Sequence, residues 1–206
     1  MGVAANLTLT AKRQGAVTVP WAHSKTELLS VFVTYPQVDS VPKLLDRDNL
    51  ASELAHQREL GMRVVMCNGV FDLLHVGHVR VLAAARALGD ILVVAINSDT
   101  SATHHKGPGR PLQPSQERAE IICALECVDH VCIFEELDVA ETMRQLKPDI
   151  HAKGEDYDPT GIPASESSAA NELGIELKLV GGPKVGASRE LATRLSAVVE
   201  DGKGRK

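Results

Sequence analysis

A chain of 206 residues with 44% hydrophobic and 24% charged content has the length and composition of one globular domain with a full core. A net charge of −5, with one Trp, two Tyr and three Phe, excludes a basic, aromatic-rich surface for nucleic acid. No apolar run approaches the ~20 residues of a membrane span, and no continuous apolar core follows Lys12-Arg13 as in a signal peptide, so a cytoplasmic location with no membrane contact is expected.

Residues 1–43 carry alternating Thr, Val and Ala broken by Pro20, Pro36 and Pro42, which predicts short extended pieces rather than a periodic element. Val31 to Tyr35 reads as an edge strand ended by Pro36. Position 6 is Asn rather than Ser or Thr, so Gly2 does not complete a myristoylation motif. Three readings of this N-terminal extension stand open: disorder, a clamp on a partner subunit, or the remainder of a fused upstream domain. Every chemical motif lies after it. The domain is therefore set at 44–199, with 200–206 a disordered tail.

Leu44 to Leu60 has leucines at helical spacing and Gly61 as a stop. The apolar run 63–67 then reads as a buried strand. It leads into Asn68-Gly69-Val70-Phe71-Asp72-Leu73-Leu74-His75-Val76-Gly77-His78 and an alanine-rich helix over 77–88, closed by Gly89. The two histidines thus fall where a strand hands over to a helix, at the carboxyl edge of an expected parallel sheet. That edge is the usual ligand position in open α/β folds. Three residues apart at a helix start, both imidazoles can point the same way. Gly77 lets a phosphate approach the backbone, and the first-turn N–H groups add positive potential. The competing reading, solvated histidines among turn-forming glycines, holds for an isolated HxGH, because short motifs match by chance. The longer context decides against it.

Ile91 to Ile96 is a continuous apolar run, as in a strand covered on both faces, and it ends in Asn97-Ser98-Asp99. Local turn hydrogen bonding is the neutral reading of that triplet. Residues 100–113 read as a polar loop, because Gly107, Pro108, Gly109 and Pro111 preclude regular structure around Lys106 and Arg110. At the ligand edge this basic loop is expected to fold over a triphosphate. His104 and His105 take no role. Pro114 to Glu126 reads as a helix with Pro114 in its first turn, 130–134 as a third strand, and Asp138-x-x-Glu141 as a capping box opening a helix to Leu146. Asp149 to Ala152 is a short strand that brings Lys153 and Gly154 back to the site. Ala164 to Leu173 is a helix stopped by Gly174, Ile175 to Val180 an alternating edge strand, and Ser188 to Val199 a last helix. Strands alternating with helices specify an α/β fold, a Rossmann-like doubly wound sheet of about five parallel strands.

Cys123, Cys127 and Cys132, with His130 nearby, invite a zinc reading. Yet no CxxC spacing is present, and Cys123 and Cys127 lie at i and i+4 on an apolar helix end. Packed, reduced thiols fit better, and no metal site is expected.

Together these motifs resemble the cytidylyltransferase-like nucleotidyltransferases, whose HxGH histidines contact nucleotide phosphates. The strings ALGDILVVAINSD (87–99), KGPGRPLQP (106–114), ALECVDHVCIFEE (124–136) and LKPDIHAKGEDY (146–157) are most similar to the D-glycero-D-manno-heptose 1-phosphate adenylyltransferase branch. That branch makes ADP-heptose for lipopolysaccharide and related surface glycans. The resemblance runs from about Leu44 to about Leu195 and thins after Tyr157. It implies that a sugar 1-phosphate oxygen attacks the α-phosphorus of ATP and expels pyrophosphate. It implies His75, His78 and Lys106 as catalytic phosphate contacts. Along the nucleotide it places Asn68, Gly69, Val70, Phe71, Gly77, Arg118, Lys153, Gly154 and Ser188, and near the acceptor Asp72, Asn97, Asp99 and Arg110. Structural readings stay open for Asp72, as a bond to turn N–H groups, for Arg118, as a surface ion pair, and for Arg110, as a loop anchor. ATP and a sugar 1-phosphate are the expected partners, Mg2+ is expected to be held mainly by their phosphates, and a homodimer or higher homo-oligomer is left open. Some relatives carry a sugar kinase domain ahead of this module, and no kinase motif is visible here.

Two positions depart from the family pattern. Glu155 replaces the second glycine of the usual KGGDY, and Ser188-Arg189-Glu190 replaces Ser-Thr-Thr. Three rival readings follow. A cytidylyltransferase for glycerol 3-phosphate or a related alcohol phosphate lacks the KGPGRP and KGEDY strings. A class I aminoacyl-tRNA synthetase fragment needs a KMSKS-like loop, which is not found. A non-catalytic nucleotide-binding regulator on the same fold stays open, because fold does not fix function. ATP in preference to CTP is the expectation.

Overall fold

Residues 43–154, 162–182, 190–194 and 197–198 are described by the structure, a computed structural model. The expected edge strand at 31–35, the Glu155 loop, Ser188 with its neighbour Arg189, and the 200–206 tail all lie outside the described residues.

Among the described residues, five strands form one parallel sheet: β1 (Val64–Gly69), β2 (Ile91–Asn97), β3 (His130–Phe134), β4 (Ile150–Gly154) and β5 (Glu176–Val180). Their spatial order is β3-β2-β1-β4-β5. The chain builds outward from β1 to β3, then crosses back to lay β4 against the other side of β1. The order therefore reverses between β1 and β4, the place where open α/β sheets set a ligand crevice at the carboxyl ends of their strands. Val64 to Gly69 pair in register with Ile91 to Ile96, and Val65 to Cys67 with Ile150 to Ala152.

Among the described residues, the helices α1 (Arg47–Glu59), α2 (Val76–Arg86), α3 (Asp99–Lys106), α4 (Ser115–Cys123), α5 (Ala140–Leu146) and α6 (Ala164–Leu173) accompany the sheet. Alternate strand residues face opposite sides, so Met66 and Val93 pack with Leu50, Leu54 and Met143, while Val65 and Val94 pack with Leu82, Ala85 and Ile122. Every residue of β2 is buried, which explains its unbroken apolar run. Each of its buried Ile, Leu and Val side chains contributes on the order of 1.5–3 kcal/mol. Among the described residues no helix is long and apolar enough to cross a membrane.

Four local expectations are corrected. The polar stretch after β2 is not all loop, because 99–106 form α3. Ser98 caps it by accepting from Ser101 N at 3.2 Å, Asp99 opens it, and His104, His105 and Lys106 close it, a charge order that suits the helix dipole. The breakers act only from Gly107 (φ +87°) onward. Pro114 is the cap of α4 rather than a first-turn residue. The Asp138–Glu141 capping box does not form; Asp138 Oδ1 accepts from Ala140 N at 2.9 Å, and α5 has no side-chain cap. Lastly, β5 exposes its first four residues instead of alternating, because it is the sheet edge and Leu177 and Leu179 stay 39% and 45% exposed.

Candidate active site

At the end of β1 the chain makes a tight passage into α2. Phe71 (φ 51°) and Leu73 (φ 56°) take the left-handed backbone region, which costs a non-glycine residue about 1–2 kcal/mol. Packing holds this conformation. Phe71 is buried, and its ring lies so near Gly69 that a Cβ there would meet it at 3.2 Å. Gly69 thus permits the fold-back that aims the following residues.

His75 is the N-cap of α2. Its Nδ1 accepts from Gly77 N at 3.1 Å, and His78 Nδ1 accepts from His75 N at 3.4 Å, a reciprocal capping box built from two imidazoles. The rings stack with centroids 3.9 Å apart and 23° between planes, and Phe71 meets His78 edge-on at 5.2 Å. A neutral imidazole whose Nδ1 accepts carries its proton on Nε2. Two Nε2–H donors therefore accompany the first-turn N–H groups at the positive end of α2. That arrangement can hold several anionic oxygens.

Asp72, Arg110 and Arg118 tie this turn to its surroundings. Asp72 is only 4% exposed. Its Oδ1 accepts from Leu112 N and Gln113 N at 2.9 and 3.2 Å, and its Oδ2 from Arg110 Nη1 at 2.5 Å. The carboxylate fastens the loop after α3, through the cis Arg110–Pro111 peptide, against the histidine motif. Its structural reading holds in altered form: the N–H groups belong to that loop rather than to its own turn. Arg110 is the loop's anchor. Arg118 is 1% exposed, so a surface ion pair does not describe it. It donates to Gln113 O at 2.9 Å, Val70 O at 2.6 Å, Asn97 O at 2.9 Å and Asp99 Oδ1 at 2.7 Å. It is the bolt joining the histidine motif to the end of β2. Asn97 is likewise buried, with Nδ2 donating to Ser101 Oγ at 2.9 Å.

Lys106, at the exposed end of α3, has no partner among the described residues. Lys153, expected along the nucleotide, is paired with an acid of α6. Its Nζ lies 2.6 Å from Glu166 Oε2, both side chains being buried, so the ammonium is turned against α6, while Gly154 ends β4 at the ligand edge. Sequence reasoning missed Glu166, although an acid in the first turn of an alanine-rich helix was a signal. It also missed His151, a lone histidine in an apolar strand. His151 is fully buried, its Nε2 lies 2.8 Å from Asn68 Oδ1, and burial together with Lys153 pushes its pKa down to about 3. Cys67 and Cys132 are free and buried, and burial pushes both thiols up to about 12. Among the described residues no group of three or more His, Cys, Asp or Glu could hold a metal ion.

Residues 66–181 match the family model for cytidylyltransferase-like proteins. The bifunctional protein HldE of Trichlorobacter lovleyi is 48% identical over 124 residues, covering 60% of this chain and 25% of that protein. HldE of Pelobacter propionicus is 50% identical over 128 residues, covering 62% and 26%. HldE of Azorhizobium caulinodans is 43% identical over 147 residues, covering 71% and 30%. The chain thus spans about a quarter of the length of the curated relatives it matches. Among solved structures, the lipopolysaccharide core biosynthesis protein of Thermoplasma volcanium is 32% identical with a TM-score of 0.50, over 60% of this chain and 100% of that one.

Proposed function

The chain belongs to the cytidylyltransferase-like family, and from that premise we propose that it is an adenylyltransferase moving AMP from ATP to D-glycero-D-manno-heptose 1-phosphate. The products are ADP-heptose and pyrophosphate. The observation that carries this reading is the stacked His75–His78 pair at the start of α2, with both Nδ1 atoms engaged by the backbone. Likeness to HldE proteins and to a lipopolysaccharide core biosynthesis protein supports the heptose acceptor.

The acceptor phosphate is ionised at neutral pH and needs no general base. Its oxygen attacks the α-phosphorus. One P–O bond forms while the bond to the β-phosphate oxygen breaks, and the electron pair leaves with pyrophosphate. Catalysis then rests on alignment and on donors fixed where charge moves. His75 and His78 donate from Nε2 to phosphoryl oxygens, beside the first-turn N–H groups of α2. Lys106 brings an ammonium to the triphosphate from the end of α3. Asp72, Arg110 and Arg118 hold these parts in register without touching substrate. Mg2+ would be held by the triphosphate oxygens, where it would offset their charge. The donor set fits that role, because the Asp72 carboxylate is already filled by Arg110 and two N–H groups.

A pyrophosphate-release screen of ATP and CTP against sugar 1-phosphates and glycerol 3-phosphate tests the assignment. ATP with the heptose 1-phosphate is expected to give the highest rate.

A further inference from the structure

The hydrogen bond between His151 and Asn68 spans the sheet where its strand order reverses. β1 and β4 pair only as far as Cys67 and Ala152. Toward the carboxyl edge the strands are joined by a side-chain contact, His151 Nε2 to Asn68 Oδ1 at 2.8 Å.

Which group donates follows from the balance of donors and acceptors. His151 is wholly buried, and its Nδ1 has no hydrogen-bond partner among the described residues. A proton on Nδ1 strands a buried N–H and sets two lone pairs face to face. Turning the Asn68 amide over relieves that repulsion but still strands the N–H. A proton on Nε2 leaves only an unpaired acceptor, the less costly omission. So His151 donates and Asn68 Oδ1 accepts. Burial and the nearby Lys153 ammonium keep the ring neutral far below physiological pH. The amide is planar, so its Nδ2 lies on the branch turned away from His151. No described residue accepts from Nδ2, and it is not shut off from solvent.

We propose that His151 is a positioning residue for nucleotidyl transfer: by donating to Asn68 Oδ1 it turns the Asn68 N–H donors toward a phosphate oxygen in the crevice between β1 and β4. This rests on the proposed nucleotide site and extends it to a side chain that touches no substrate. The reversed amide presents its carbonyl oxygen to the phosphate and repels it.

The test compares the full chain with its His151→Leu and His151→Gln variants, using ATP with Mg2+ as the probe. The Gln amide keeps a donor near the imidazole Nε2 position, and Leu has none. The Gln variant is expected to bind ATP within about twofold of the parent, and the Leu variant about three- to tenfold more weakly per folded molecule. NMR of isotope-labelled histidine in the parent should show the His151 proton on Nε2, with no titration between about pH 8 and about pH 5. Equal affinity in the Leu variant and the parent overturns the proposal, as does a proton on Nδ1. Should the Leu variant not fold, a Gln variant binding as weakly as Asn68→Ala overturns it, and one binding like the parent supports it. A parent that binds no ATP refutes the nucleotide reading itself, while the histidine spectrum separately decides whether His151 orients Asn68.

Discussion

His75 and His78 stack at 3.9 Å, and each engages a backbone N–H of the same helix start through Nδ1. Capping and the proposed phosphate binding use opposite edges of the same rings, so the two roles can be separated by substitution.

His75→Asn keeps a good N-cap and removes the Nε2 donor. It should fold with near-parental stability yet lose about 100- to 1000-fold in turnover, the usual cost of one preorganised donor to developing charge. His75→Ala should lose the same activity and, in addition, about 1 kcal/mol of stability. Paired turnover and denaturation midpoints distinguish them. An active His75→Asn reduces the histidine to a helix cap.

Lys106 is exposed and has no described partner, so Lys106→Ala should leave the denaturation midpoint within about 0.5 kcal/mol of the parent. On the proposed role of Lys106 at the triphosphate, the variant's kcat/KM with ATP should fall by at least about tenfold. Unchanged kinetics would remove Lys106 from the site.

Arg118→Met should destabilise the fold by about 3–5 kcal/mol, because it strands three backbone carbonyls around a buried site, while the Asp99 carboxylate it also holds is half exposed and can turn to water. A solvent-exposed ion pair would contribute only about 0–1 kcal/mol. Urea denaturation of the purified variant reads the difference.

What was legible in the sequence is what local pattern encodes. The apolar run of β2, the His130–Phe134 strand and the Ala164–Leu173 helix follow from periodicity and punctuation. The histidine motif was legible because its spacing itself makes the helix start. The burial of Arg118 was not, since its four acceptors come from β2, α3 and two loops that only the fold gathers. The same holds for Asp72, whose N–H partners lie in a loop after another strand and helix. α3 was hidden because the glycines and prolines just past Lys106 dominated a polar stretch whose cap, Ser98, was read as a turn.

Acid should weaken the fold before the carboxylates titrate. His151 has a folded pKa of about 3 against about 6.5 when unfolded, so between those values the unfolded chain binds the extra proton. The stability from its neutral form is complete above about pH 6.5 and is lost as pH falls toward 3. His130, lowered by burial, acts in the same direction. Asp46 and Glu176, both lowered by hydrogen bonds, add to the loss only below about pH 5. Urea midpoints measured from neutral pH down to about pH 5 should fall, and more gently in His151→Gln. A parent midpoint flat over that window would mean that His151 is not buried as a neutral ring.

The most direct measurement is pyrophosphate release by the purified chain with Mg2+, comparing ATP plus D-glycero-D-manno-heptose 1-phosphate with CTP plus glycerol 3-phosphate. The adenylyltransferase assignment predicts turnover with the first pair, largely lost in His78→Ala. Equal or faster turnover with the second pair, or a His78→Ala variant within a few-fold of the parent, would contradict it.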